Sequence, residues 1–222
     1  MRKVKPPQDG PKKKLLDAAE RIVSEKGFDL VSVRDVTGAV NANVAAVNYH
    51  FGSRERLLDL VIGKLLEPLC EDRLKALEAA QRQRAGKMAS LEEILIAYTK
   101  PLKSTAEKLG MEDRYFLKLI GRIFLLATAS HPEPLRKIRE TVQTRFLAAL
   151  ARILPERPDG ELSISWHLLD AGLSHSFIAV PAHLEPARII ANWVALSDQA
   201  FGGEKALREL KIDDAQGLLF EL

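Results

Sequence analysis

Between Gly27 and Ser53 the chain carries helix stop and start signals spaced so closely that only two short helices and a tight turn fit between them. Gly27 suits the left-handed position ending a first helix, whose apolar stripe is Leu15, Leu16, Ala19, Ile22 and Val23. Pro11 fits its opening turn, and Phe28 is placed to fold back on Val23. Ser32 and Asp35 make a capping-box pair with Val31 and Val36 in the two staple positions, so the next helix starts at Ser32 and reaches only to about Val40. Asn41 supplies a left-handed turn in place of glycine. Asn43 caps a further short helix, Val44 to about Phe51, which Gly52 closes. Ser53 caps a long one with stripe Leu57, Leu58, Val61, Ile62, Leu65 and Leu69, in which Pro68 predicts a kink or break.

Beyond Ala80 a Gln/Arg-rich stretch with Gly86 ends that helix, and Ser90 with Glu93 opens another through a second capping box. Helices are expected at about 91–108 (interrupted near Pro101), 112–129, 134–154, 162–179 and 186–200. With no sustained strand alternation and no internal repeat, the fold class is all-α. The chain divides into a flexible basic arm over 1–11, a three-helix helix-turn-helix unit over 12–56, and a C-terminal helical body over 57–222.

A short helix, a tight turn and a second short helix allow the second to enter a major groove while the first crosses the backbone. Along that second helix Val44 and Val47 are expected to face the core, leaving Ala45, Ala46, Asn48, Tyr49 and His50 outward. Small residues permit close approach to thymine methyls, Asn48 can pair with bases or phosphate, and Tyr49 and His50 can donate to phosphate oxygens. Arg34 and Arg54 add charge near helix starts, and Ser32 stands on the same side. The net charge is only +3, but residues 1–64 hold 12 basic against 8 acidic residues and the remainder 21 against 22. The positive excess therefore lies in the segment expected to meet phosphates. The arm residues Arg2, Lys3, Lys5, Lys12, Lys13 and Lys14 can reach phosphates or serve as a solubilising tail.

The segment from Val40 to Leu58, with its Asn-rich turn, Tyr49-His50-Phe51 and Ser53-Arg54-Glu55, resembles the signature of the TetR family of regulators. It departs from that pattern at Asn41, where the family has a turn glycine, and at Asn48, where Tyr is common. The resemblance covers residues 12–65 by motif and the rest by helix number and order. It implies that Arg34, Asn43, Ala45, Ala46, Asn48, Tyr49, His50 and Arg54 face double-stranded operator DNA. It also implies a homodimer on an approximately palindromic operator and an effector cavity in the helical body.

The stripes Phe116, Ile120, Phe124 and Trp166, Leu169, Leu173, Phe177 are the expected lining of that cavity. Ala171, Gly172, Ser174, Trp193, Val194 and Leu196 are the expected dimer contacts. The Val47 to Gly52 segment and the layout of Phe116 to Ala127 are similar to a fatty-acid-responsive subgroup, which implies a small lipophilic effector. The mechanism then expected is a ligand-driven change in the spacing of two recognition helices, transmitted by the helix from Ser53 to Ala80. Repression is the expected sense, with activation as the alternative.

Other classes fare worse. His50, His131, His167, His175 and His183 lack the spacing of metal ligands on one helical face. No phosphate loop or nucleophile motif occurs, so neither catalytic residue, metal nor cofactor is expected. Cys70 reads as a buried small hydrophobe. With no apolar run of membrane-spanning length the expected place is the cytoplasm, without membrane partners. A ligand-blind DNA binder or adaptor is the remaining alternative, to be recognised by a closed core beside Phe124 and Phe177.

Overall fold

The computed structural model describes residues 10–82, 88–126, 131–179 and 184–202, and these form nine α-helices with no strand among them. The basic residues Arg2, Lys3 and Lys5 and His183 lie outside the described residues. Helix α1 (Pro11–Lys26) ends where Gly27, at φ 90°, returns its N–H to the Val23 carbonyl at 2.8 Å. Helix α2 (Val33–Ala39) opens on a complete Ser32–Asp35 capping box, and the staple residues Val31 and Val36 are both buried. Asn41 is the one non-glycine residue with positive φ among the described residues, at 53°. It turns the chain into α3 (Ala45–Phe51), where the Asn43 Oδ1 accepts from the Ala45 N–H at 2.8 Å. Ser53 then caps α4 (Arg54–Arg82) by accepting from the Arg56 N–H at 3.1 Å.

The body consists of α4 with α5 (Leu91–Lys108), α6 (Asp113–Leu125), α7 (Glu133–Ile153), α8 (Asp159–Ala179) and α9 (Pro186–Gly202). Its closest packed pair is α6 on α8, followed by α4 on α5. One continuous core of buried residues runs from Leu15 in α1 to Phe201 in α9. Helix α4 belongs to both parts: its first turns pack on α1 and α3, its later turns on α5 and α7.

Neither proline breaks its helix, although the sequence allows a break at Pro68 and expects an interruption near Pro101. Helix α4 continues as one element through Pro68, and α5 is uninterrupted at Pro101. A mid-helix proline costs about 3 kcal/mol, whereas each fully buried leucine contributes roughly 1.5–3 kcal/mol. Leu65, Leu66 and Leu69 around Pro68, and Leu95 and Leu102 around Pro101, are all buried and hold the helices together across the missing donor.

Candidate nucleic-acid interface and effector cavity

Val47 and Phe51 anchor α3 to the core at i and i+4, which turns the opposite face of the helix outward. On that face Ala45 and Asn48 are exposed and Tyr49 is 85% exposed, its ring edge-on to His50 with centroids 5.0 Å apart. His50 is half-buried. Val44, expected to face the core, is 48% exposed although its backbone is already helical, at φ −52° and ψ −35°. Ala46 is half-buried and packed against the core, so it is less outward than expected.

Arg34 is exposed and forms no ion pair among the described residues. Ser32, also exposed, has its hydroxyl committed to Asp35, donating at 2.7 Å and accepting from the Asp35 N–H at 3.1 Å. The Ser32 hydroxyl and the Ser32 N–H, which donates to the same carboxylate oxygen at 3.2 Å, hold the Asp35 carboxyl below its ordinary pKa, with the nearby Lys26 ammonium adding to the effect.

Arg54 has a structural task that its place in the sequence does not reveal. Its Nε donates to the Val31 carbonyl, its Nη2 to the Phe28 carbonyl at 2.7 Å and more weakly to that of Asp29 at 3.5 Å, while Nη1 stands 3.6 Å from Glu55. The guanidinium is a clamp between the start of α4 and the α1–α2 connection, with Nε and Nη2 committed to carbonyls and Nη1 left without a hydrogen bond to the described residues.

A cavity of about 400 Å³ opens among α4, α5, α6, α7 and α8. Of the seven residues expected to line it, Phe124 and Trp166 do so. Phe116, Ile120 and Leu173 are spent in the core, Leu169 accepts a bond from the Trp193 indole at 2.7 Å, and Phe177 borders only a crevice of about 10 Å³. The rest of the lining is more polar than expected: Arg73, Tyr98, Arg139, Gln143, His167 and Asp170 take part. The Tyr98 hydroxyl donates to Asp170 Oδ1 at 2.5 Å, and burial drives its pKa well above the ordinary value. Burial likewise pushes the Cys70 thiol up to about 11, so this lining residue is a neutral, unreactive thiol. Arg73 carries a signal that the sequence reading missed: it falls four residues after Leu69 and four before Leu77, inside the buried stripe of α4.

The dimer contacts expected on α8 and α9 divide by helical phase. Ser174 and Trp193 are buried within the chain, and Ser174 and Ala171 border the cavity. Val194 is half-buried and lines a separate apolar groove among α5, α6 and α9. Gly172 and Leu196 are exposed, as are Ile164 and Leu168 on the same outer side of α8.

A short groove-sized helix with an outward face, carried on a helical body, defines a helix-turn-helix transcriptional regulator. Residues 15–61 match the family model of bacterial regulatory proteins of the tetR family, and residues 96–187 match that of the tetracyclin repressor-like C-terminal domain. The chain belongs to the TetR family of DNA-binding transcriptional regulators. It is 33% identical over 73 residues to the HTH-type transcriptional regulator BetI of Rhizobium meliloti (strain 1021), a match spanning 33% of this chain and 36% of that relative. The fold is similar to that of the TetR family regulator PfmR from Thermus thermophilus, with TM-score 0.58 at 20% identity over 86% of this chain and 98% of the other. It is also similar to Mycobacterium smegmatis AmtR, with TM-score 0.55 at 18% identity over 86% and 87%. BetI and PfmR are both transcriptional regulators. No helix among the described residues is long and apolar enough to cross a membrane, and no group of metal-ligating side chains occurs among them.

Proposed function

We propose that the protein is a ligand-responsive repressor acting in the cytoplasm, a homodimer that holds an approximately palindromic operator until a small effector with an apolar body enters the cavity beside Phe124. The observation that carries this reading is the two-sidedness of α3: Val47 and Phe51 are fixed in the core while Val44, Ala45, Asn48 and Tyr49 face outward directly behind a positive-φ turn. Those outward groups suit thymine methyls, base edges and phosphates, with Arg34 as the exposed cation beside them. Asn43 shapes the turn, and Ser32 and Arg54 act by fixing α2 and α4. The boundary near residue 56 divides function more than structure, since α4 crosses it unbroken.

Helix α8 is apolar on both sides, which supports a role in pairing: Trp166, Leu173 and Phe177 face the core while Ile164 and Leu168 stay exposed. With Gly172 and with Leu196 of α9 they form the face proposed to meet a second copy. The cavity beside Phe124 supports a ligand-responsive protein over a ligand-blind one, whose mark is a core closed at both Phe124 and Phe177; at Phe177 the core is closed but for a small crevice. Release requires the effector to prefer the spacing that does not fit DNA; equal affinity for both spacings would shift nothing.

The test is selection of bound duplexes from a random pool by the full-length protein, followed by salt titration of the recovered site. An inverted repeat with half-sites about one helical turn apart is expected. Arg34→Ala should weaken all duplexes alike and lower the slope of log affinity against log salt by about 0.9. Recovery of no preferred sequence at low salt would overturn the reading.

A further inference from the structure

We propose that the cavity binds an organic oxyanion, a carboxylate or phosphate on an apolar body, gripped by the guanidinium groups of Arg73 and Arg139. The inference rests on the cavity being the effector site and names the chemical class of that effector.

Arg73 is 1% exposed. Its Nε donates to the Tyr98 carbonyl at 2.9 Å, but its Nη2 is buried without a hydrogen-bond partner among the described residues. Arg139 donates through Nη1 to His131 Nδ1 at 3.2 Å. Neither arginine forms an ion pair with a carboxylate among the described residues, as the pairs there involve other cations. The one carboxylate in the lining, Asp170, receives the Tyr98 hydroxyl. Two arginines and one aspartate leave the described lining with one formal positive charge in excess.

A buried guanidinium with an unsatisfied N–H is costly, and the group that relieves it best is a planar oxyanion accepting two parallel N–H bonds. The aromatic faces argue in the same direction. The Arg73 guanidinium lies 3.6 Å from the Tyr98 ring centre and 5.3 Å from that of Phe124, while Arg139 lies 4.8 Å from the same Phe124 ring. Faces that would otherwise welcome a ligand cation already hold the protein's own cations. Leu125, Leu126, Val142 and Trp166 leave apolar wall for the remainder of the ligand, and the volume falls in the range of small-molecule sites.

The chain's two tryptophans make the test direct, because Trp166 lines the cavity and Trp193 stacks on Tyr98 at 5.9 Å. Intrinsic fluorescence of the full-length protein is titrated with phenylacetate and linear carboxylates from hexanoate to dodecanoate. The same titrations use their amides, the matching phosphate monoesters and tetramethylammonium. At least one acid is expected to shift the emission saturably, with its amide weaker by about tenfold or more. Arg139→Gln should weaken that acid by about tenfold. Arg73→Met should abolish its binding while raising the melting temperature of the unliganded protein, since an unpaired buried charge is removed. Arg73→Lys keeps the charge, loses the fork, and should weaken binding by at least about threefold. A phosphate ester outbinding its carboxylate would identify phosphate as the oxyanion and uphold the inference. Amides binding as well as acids, preference for tetramethylammonium, or no response to any acid or phosphate at about 5 mM would overturn it. Acids that bind without changing DNA affinity would uphold the oxyanion site and remove the effector reading. Neutral compounds that release DNA where every acid and phosphate is inert would do the reverse.

Discussion

Replacing Arg54 by alanine separates a clamp from a phosphate contact. The Arg54 guanidinium makes two close charge-assisted bonds, to the Val31 and Phe28 carbonyls, and a weaker one to that of Asp29. A hydrogen bond to a charged group contributes about 1.5–3 kcal/mol. The side chain is 30% exposed and water can reach part of the vacated site, so about half of the two-bond sum, roughly 1.5–3 kcal/mol, is the expected loss on Arg54→Ala. For a chain of this size that corresponds to a fall in melting temperature of roughly 3–12 °C. Because Nε and Nη2 are already committed to carbonyls, the salt slope of DNA binding should stay within a few tenths of wild type, whereas a lost phosphate contact would lower it by about 0.9. Thermal melts paired with DNA titrations between about 50 and 200 mM salt measure both quantities on one preparation. An unmoved melting temperature together with a slope lowered by about one would refute the clamp.

Two further outcomes are expected. Gly121→Ala places a Cβ 2.6 Å from the Ser174 carbonyl oxygen and 3.0 Å from Ile178 where α6 meets α8, and backbone cannot yield as a flexible side chain would. Chemical denaturation should report a loss of about 1–3 kcal/mol, and an unchanged midpoint would show that the two helices are not closely apposed there. His131 is buried, and burial together with the Arg139 charge holds its pKa below the ordinary 6.5, the bond to the Ile123 carbonyl only partly offsetting them. The unfolded chain therefore binds that proton more readily, so the stability is full above about pH 6.5 and declines as pH falls towards the folded value. A His131→Gln variant should lose less stability than wild type in that window, and parallel pH profiles would contradict it.

Local signals are legible because they act through neighbours in sequence. The Ser32–Asp35 and Ser90–Glu93 boxes, the Asn41 turn and the Gly27 stop each involve residues within four positions of one another, and all stand where the periodicity places them. What escapes depends on direction in space. Val44 continues the helical phase of Val47 and Phe51, yet it stands at the N-terminal end of α3 and is exposed. Arg54 reads as surface charge until the Val31 and Phe28 carbonyls, more than twenty residues away, are seen beside it. On α8 residue type identifies an apolar helix, but only phase separates the inward Leu173 and Phe177 from the outward Ile164 and Leu168. Pro101 reads as a break in the sequence because its neighbours' burial against α4 is a tertiary fact.

That distinction between local and distant also bears on how a ligand would reach the DNA-facing unit. The sequence makes α4 the transmitter, and α4 does run from Leu57 in the core shared with α1–α3 to Arg73 at the cavity, about 24 Å at 1.5 Å per residue. Yet α4 is braced at the cavity end, where Asp72 accepts from Lys108 at 2.7 Å and from Thr105 at 2.9 Å on α5. Helix α6 offers a shorter path. Phe124 lines the cavity, and two residues earlier Arg122 donates to the Ser24 carbonyl at 3.1 Å and to that of Glu25 at 3.0 Å, at the end of α1. The contact is so close that a Cβ on Gly27 would stand 2.9 Å from Arg122 Nη1, which makes glycine there a matter of space as well as of φ. Helix α6 thus joins the cavity wall to the turn that leads from α1 into α2. Both α4 and α6 reach from the cavity to the DNA-facing unit, and an effector shifts the equilibrium only if it binds unequally to two positions of one of them.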